Sequence, residues 1–119
     1  PIKTRVFTMK PRANFWIEKD GKVVLSSWRV RLLEAVEETG SISAAATKMN
    51  VSYRRAWEKI HECEERLGMK LVDTQTGGEG GGGSQLTPIA VDYIRRFHNF
   101  TEGLQGLVSQ RFHENFLED

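Results

Sequence analysis

A single cysteine, Cys63, occurs in the 119 residues. No intrachain disulfide can form, and a reducing, cytoplasmic setting is the expectation that follows. No apolar run approaches the ~20 residues of a membrane-spanning helix, so a membrane is not expected as a partner. The opening residues PIKTRVFTMKPR lack the apolar centre of a signal peptide, and none is expected there. Excess charge of either sign is lacking too: 17 Lys and Arg against 16 Asp and Glu leave a net charge of +1, so the field of the whole chain selects no partner. The histidines His61, His98 and His113 are scattered, and His61 and Cys63 stand two apart, where they do not share a helical face. Neither a metal nor any other cofactor is expected. Cys63 has no base or acid partner nearby in the sequence, so it reads as a buried small hydrophobe and the chain as something other than an enzyme.

What is present suits one domain with one core: 39% hydrophobic and 28% charged residues are ordinary globular values. RANFWIEKDGKVVLSS reads as a β-hairpin turning at Asp20-Gly21, with Phe15, Ile17, Val23 and Leu25 as its apolar face. SSWRVRLLEAVEETG reads as a helix capped by Ser26 or Ser27, carrying Trp28, Leu32, Leu33 and Val36 at helical spacing and ending at Gly40. A short helix of small residues follows, with Ser43 as its expected N-cap and Asn50 at its end. VSYRRAWEKIHECEERLG is a third helix, capped by Ser52 and closed by Gly68. On a helical wheel Tyr53, Ala56, Ile60, Cys63 and Leu67 cluster on one side with Trp57 at the edge, and these are expected to face the core. Arg54, Arg55, Glu58 and Glu62 point away. KLVDTQ and SQLT are short strands on either side of a glycine run. Thr87 caps and Pro88 opens a last helix that could reach Phe116, with a kink or break possible at Gly103 and Gly106.

Helix, short helix, helix, strand, glycine-rich loop, strand is the order of a winged helix-turn-helix. Ala44, Ala45 and Ala46 let the short helix cross close to the next one, and donors gather at the start of the third helix, the end that enters a DNA major groove. From Ser41 to Lys59 four cations face one Glu, a local charge of +3. Arg54 and Arg55 are the base-reading candidates, because a guanidinium meets guanine O6 and N7 with two bonds. Ser41, Ser43, Lys48, Ser52 and Lys59 are expected to hold the sugar-phosphate backbone, and the Tyr53 hydroxyl could reach a phosphate. For Trp57 the core is the preferred place.

The stretches GSISAAATKMNVSYRRAWEKIHECEERLG and LVDTQTGGEGGGGSQLTPIA together resemble the N-terminal DNA-binding domain of the ModE family, the molybdate-dependent transcriptional regulators, itself related to the LysR-type winged helix. The resemblance covers roughly Trp28 to Ala90. It implies a homodimer that binds double-stranded DNA, in which the SYRRAW helix reads the operator, the glycine loop is the wing and flanking helices dimerise. Members that sense molybdate carry further C-terminal oxyanion-binding domains. The sequence stops soon after its last helix, so a stand-alone form is expected and molybdate is not expected as its ligand. Direct oxyanion sensing by the dimer and a protein-interaction module on the same scaffold are the alternatives.

The glycine run gains meaning as a wing. Thr76, Gly77, Gly78, Gly80, Gly81, Gly82, Gly83 and Ser84 would expose backbone N–H groups and keep no bulky side chain between them and a phosphate. GGGGS also resembles a flexible linker, and Gly78, Gly80 and Gly83 formally satisfy a dinucleotide-binding spacing, but no helix opens inside that motif. Ile94, Phe97, Thr101, Leu104, Val108 and Phe112 form an apolar stripe that would serve as a dimer seam or as a cover for the chain's own core, the seam being favoured. The expected fold class is α+β, mostly α: a hairpin arm over 1–26, a winged-helix core over 27–87 with the wing at 74–87, and a C-terminal dimerisation helix over 88–119.

Overall fold

The computed structural model describes residues 9–75 and 83–116. Thr76, Gly77, Gly78, Gly80, Gly81 and Gly82, the expected wing tip, lie outside the described residues.

Strands β1 (Trp16–Lys19) and β2 (Lys22–Ser26) form the N-terminal hairpin. Asp20 and Gly21, at φ 54° and 76°, make the tight turn that their sequence favours. The register slips between Ile17 and Glu18, so Ile17 faces Leu25 while Glu18 faces Val23. Val24 is the extra residue of this bulge, and both Val24 and Leu25 are buried. Strict alternation had placed Val23 and Leu25 on the apolar face. The bulge turns Val24 inward and leaves Val23 only half-buried.

Helix α1 (Ser27–Thr39) is capped by the Ser26 hydroxyl, which accepts from Arg29 N at 3.2 Å, and closed by Gly40 at φ 82°. Helix α2 (Ile42–Lys48) begins two residues earlier than its expected cap implied: Ser41, not Ser43, accepts from Ala44 N at 3.0 Å. That frame places Ile42, Ala45 and Ala46 together on the buried side. Asn50, at φ 57°, turns the chain into helix α3 (Tyr53–Leu67), whose cap Ser52 accepts from Arg55 N at 3.1 Å. Ala45 and Ala56 are fully enclosed where α2 meets α3, the close approach that small residues permit.

Strands β3 (Val72–Gln75) and β4 (Gly83–Leu86) pair antiparallel, Val72 with Leu86 and Gln75 with Gly83. Helix α4 (Pro88–Thr101) starts at Thr87, whose hydroxyl accepts from Ala90 N at 3.2 Å and donates to the Lys70 carbonyl at 2.8 Å. The C-terminal helical arm divides at Glu102 and Gly103, the latter at φ 83°, into α4 and α5 (Leu104–Phe116). The core joins Leu25, α1 residues Val30, Leu32, Leu33 and Val36, Ala45 and Ala46 of α2, Ala56, Ile60 and Cys63 of α3, Leu71, and Ala90, Ile94 and Phe97 of α4, while Ala44 is exposed. Helix α5 buries no residue, and the chain is drawn out to 66 × 29 × 21 Å. The mostly α, winged helix-turn-helix architecture with a β-hairpin and a long C-terminal helical arm is present.

Candidate nucleic-acid interface

Helix α3 does two jobs along its length. Its last two turns are fastened to the rest of the domain. Glu62 receives Arg29 Nη2 at 2.7 Å and lies 2.9 Å from Arg66 Nη1 and 3.6 Å from Lys59 Nζ. Burial alone would raise the Glu62 pKa, but the Arg29 bond and the surrounding cations outweigh it and hold the carboxyl below its ordinary range. Arg29 also approaches Cys63 Sγ at 3.2 Å and the Lys59 carbonyl at 3.4 Å. Burial pushes the Cys63 thiol upward, the Arg29 contact opposing it, so the sulfur stays a buried thiol and not a nucleophile. Arg66 donates to the Val23 carbonyl at 2.7 Å, tying α3 to the hairpin. On the other flank Glu64 accepts from the N–H groups of Leu71 and Val72 at 2.7 and 3.1 Å, which sets where β3 begins.

The first turns of α3 carry no such duty beyond Ala56. The Arg54 side chain is 88% exposed, with Nε 2.9 Å from Glu58 Oε1. Arg55 is exposed, its guanidinium 5.6 Å from the centre of the Trp28 ring. Tyr53 is 54% and Trp57 43% exposed. This corrects the wheel: neither aromatic belongs to the core, because Ala56, Ile60 and Cys63 alone fill the narrow face turned toward α1 and α2. Glu62 is corrected as well, being drawn inward to Arg29 instead of pointing away.

The backbone-holding candidates divide. The Ser41 and Ser52 hydroxyls are used as helix caps by Ala44 N and Arg55 N, leaving each O–H proton for an outside acceptor. Ser43 is exposed. Lys48 pairs with Glu38 across the α1–α2 turn, and Lys59 leans to Glu62 on the flank of α3 that faces Arg29. At the wing base, Ser84 N donates to the Gly40 carbonyl at 2.8 Å, and a Cβ on Gly83 would stand 3.2 Å from that same oxygen. Gly83 thus lets β4 sit close against the α1–α2 turn, where a Cβ would press on the Gly40 oxygen.

The expected dimer stripe is broken. Ile94 and Phe97, at 8% and 3% exposure, belong to the chain's own core. The Thr101 hydroxyl bonds back to the Phe97 and His98 carbonyls. Leu104, Val108 and Phe112 are half-buried on α5, beside the exposed Leu107 and Phe116, and Phe112 stacks on Phe116 at 5.1 Å.

The residues missed in the sequence are Arg29, Glu64 and Arg66. The Glu62–Arg66 spacing of four was a usable signal, whereas nothing local marks Arg29 as the partner of a residue 33 positions away. Among the described residues no cluster of three or more His, Cys, Asp or Glu is arranged to hold a metal, and no helix is long and apolar enough to cross a membrane.

Residues 28–90 match the family described as "Bacterial regulatory helix-turn-helix protein, lysR family". Among curated relatives, the chain is 42% identical over 84 residues to "Molybdenum transport protein ModE" of Azotobacter vinelandii, covering 71% of this chain and 30% of that protein. It is 43% identical over 63 residues to the Herbaspirillum seropedicae protein of the same name, covering 53% and 23%. With "Molybdenum-pterin-binding protein MopB" of Rhodobacter capsulatus it shares 38% over 81 residues, covering 68% and 30%. The chain thus spans less than a third of the length of these relatives. Of solved structures, Vibrio fischeri DarR in complex with DNA aligns over 80% of this chain and 31% of its own, with a TM-score of 0.58 at 19% identity. The CbnR DNA-binding domain in its DNA complex aligns over 73% and 93%, with a TM-score of 0.54 at 23% identity. These two likenesses establish the fold.

Proposed function

Since the chain belongs to the bacterial regulatory helix-turn-helix family of the lysR type, a DNA-binding transcriptional-regulator domain, we propose that it is a sequence-specific regulator of the ModE kind that binds double-stranded DNA as a homodimer. The observation that carries the reading is the free amino end of α3. Tyr53, Arg54 and Arg55 stand there exposed, on a helix whose other end is fastened by Glu62, Glu64 and Arg66. Such an end fits a major groove, with Arg54 and Arg55 reading base edges and Ser41, Ser43, Ser52 and Lys48 near the phosphates. The wing from Thr76 to Ser84 would follow the adjoining backbone.

The homodimer is supported by α5, which buries nothing in its own chain while exposing Leu107 and Phe116 beside Leu104, Val108 and Phe112. The proposed seam would run along α5, because Ile94 and Phe97 are used by the chain's own core. Two reading helices would then meet successive major grooves ~34 Å apart. The relatives named for molybdenum suggest a molybdate-linked setting; oxyanion sensing by this chain itself is not part of the proposal.

Gel shifts with genomic fragments at two salt concentrations, followed by footprinting, test the reading. Expected are a few protected sites with two-fold symmetry and affinity that falls as salt rises. Binding with no sequence preference, or none at all, would reject it in favour of a protein-interaction module.

A further inference from the structure

Resting on the DNA-reading role of α3, we infer that Trp57 is a specificity-determining residue that reads the 5-methyl group of thymine by apolar contact, with His61 as its positioning residue. Three observations point there.

Trp57 is a large apolar group left 43% exposed on the element that projects, one turn beyond Tyr53, itself 54% exposed, so the two form an aromatic edge along α3. The indole is also held. His61 stacks on it with ring centres 3.7 Å apart and planes 20° from parallel, and the His61 Nδ1 lies 2.9 Å from the Trp57 carbonyl oxygen. One face of the indole is covered and its orientation fixed before any ligand arrives, which lowers the ordering cost of binding.

The third observation is the charge around it. Glu58 adjoins Trp57 in sequence, and Glu64 and Glu65, against the single cation Lys70, line the same open pocket as Trp57 and His61. Carboxylates repel phosphate, so this edge is poorly made for the DNA backbone. Base edges carry no net charge, and thymine presents a methyl group in the major groove that apolar side chains contact. Arg54 and Arg55, the proposed base readers, stand exposed on the same end of α3. An apolar reader beside two guanidiniums would add discrimination of thymine from cytosine at a position the arginines do not reach.

The test uses the chain and a specific duplex chosen from a random-sequence pool, with each thymine replaced in turn by deoxyuridine, which removes only the methyl group. One thymine per half-site should weaken binding about tenfold on replacement. In Trp57→Ala that replacement should have no further effect, while arginine-dependent positions keep theirs. His61→Ala should reduce the methyl effect without abolishing it. Circular dichroism checks that both variants remain folded, as the exposure of Trp57 leads one to expect; Trp57→Phe supplies a milder second variant, with an intermediate methyl effect. If specific binding persists but no thymine methyl matters, or if Trp57→Ala and the methyl loss are simply additive, the role of Trp57 is overturned and the regulator reading stands. If no duplex is bound specifically, both fall.

Discussion

Removing Glu62 should cost more stability than removing Arg29, although the two are partners in one ion pair. In Glu62→Ala the Arg29 guanidinium, whose side chain is only 11% exposed, keeps the Lys59 carbonyl at 3.4 Å and the Cys63 sulfur at 3.2 Å, both weak acceptors at those distances. Breaking a buried pair from one side costs about 3–5 kcal/mol, and since water reaches Glu62 in part, about 3 kcal/mol is the fitting value. In Arg29→Met the aliphatic stem is largely replaced, and Glu62 retains Arg66 at 2.9 Å and Lys59 at 3.6 Å. That loss should be about 1 kcal/mol. At about 4 °C per kcal/mol for a chain of this size, the Tm falls by roughly 12 °C in the first variant and 4 °C in the second. The double variant Arg29→Met, Glu62→Leu should resemble Arg29→Met, because no charge is then stranded. The pH dependence has a defined sign. Glu62 is held below its ordinary range, so its contribution is whole at neutral pH. That contribution is lost as pH falls from about 4.3, the ordinary glutamate value, through the lower value of the folded chain. Glu62→Gln should flatten that part of the profile. Urea and thermal unfolding followed by circular dichroism measure all of this. A costlier Arg29→Met, or additive effects in the double variant, would refute the reasoning.

Gly83→Ala should destabilise by about 1–2 kcal/mol, since its Cβ meets the Gly40 oxygen at 3.2 Å and that oxygen is fixed by Ser84 N. As a control, Gly106→Ala meets nothing within 4 Å in its own chain and should not destabilise the monomer; thermal melts compare the two, and a neutral Gly83→Ala contradicts the packing of β4. Leu107→Glu, at an exposed site on α5, should leave the far-ultraviolet spectrum unchanged and shift the sedimenting mass from dimer to monomer. Arg54→Ala should weaken specific binding by about 1–3 kcal/mol at one base position, whereas Lys48→Ala should weaken binding to all sequences alike and reduce the salt slope; quantitative gel shifts on matched and mismatched duplexes separate them.

The helix ends were legible because capping is local chemistry: Ser26, Ser52, Thr87, Gly40 and Gly68 act within three or four residues of themselves. The Asp20-Gly21 turn and Asn50 were legible for the same reason. Ser41 and Ser43 flank Ile42 symmetrically, and only the burial of Ile42 decides between them, which periodicity over a seven-residue helix states weakly. Three other differences have separate causes. A wheel gives the direction of an apolar face, while its width is set by what packs against it. Tyr53 was placed within that face and Trp57 at its edge, and both are outside it. Val24 entered the core through a bulge, and at Ile94 and Phe97 the stripe, favoured as a seam, serves its alternative role of covering the chain's own core before the glycine where the helix breaks.

That division along α3 also frees the amino end on which the proposed reading rests. Orienting a reading helix requires fixing it against rotation and leaving one end unoccupied, and the same side chains cannot do both. Here acids beyond the first turn act as fasteners: Glu62 to Arg29 on one flank, Glu64 to the β3 backbone on the other. With both flanks held after the second turn, the first two turns need only Ala56 and Ile60 for anchorage. Tyr53, Arg54, Arg55 and Trp57 are thereby released from packing. Their chemistry is what carries the proposed reading, whereas the long-range partners of the other end were not legible in the sequence.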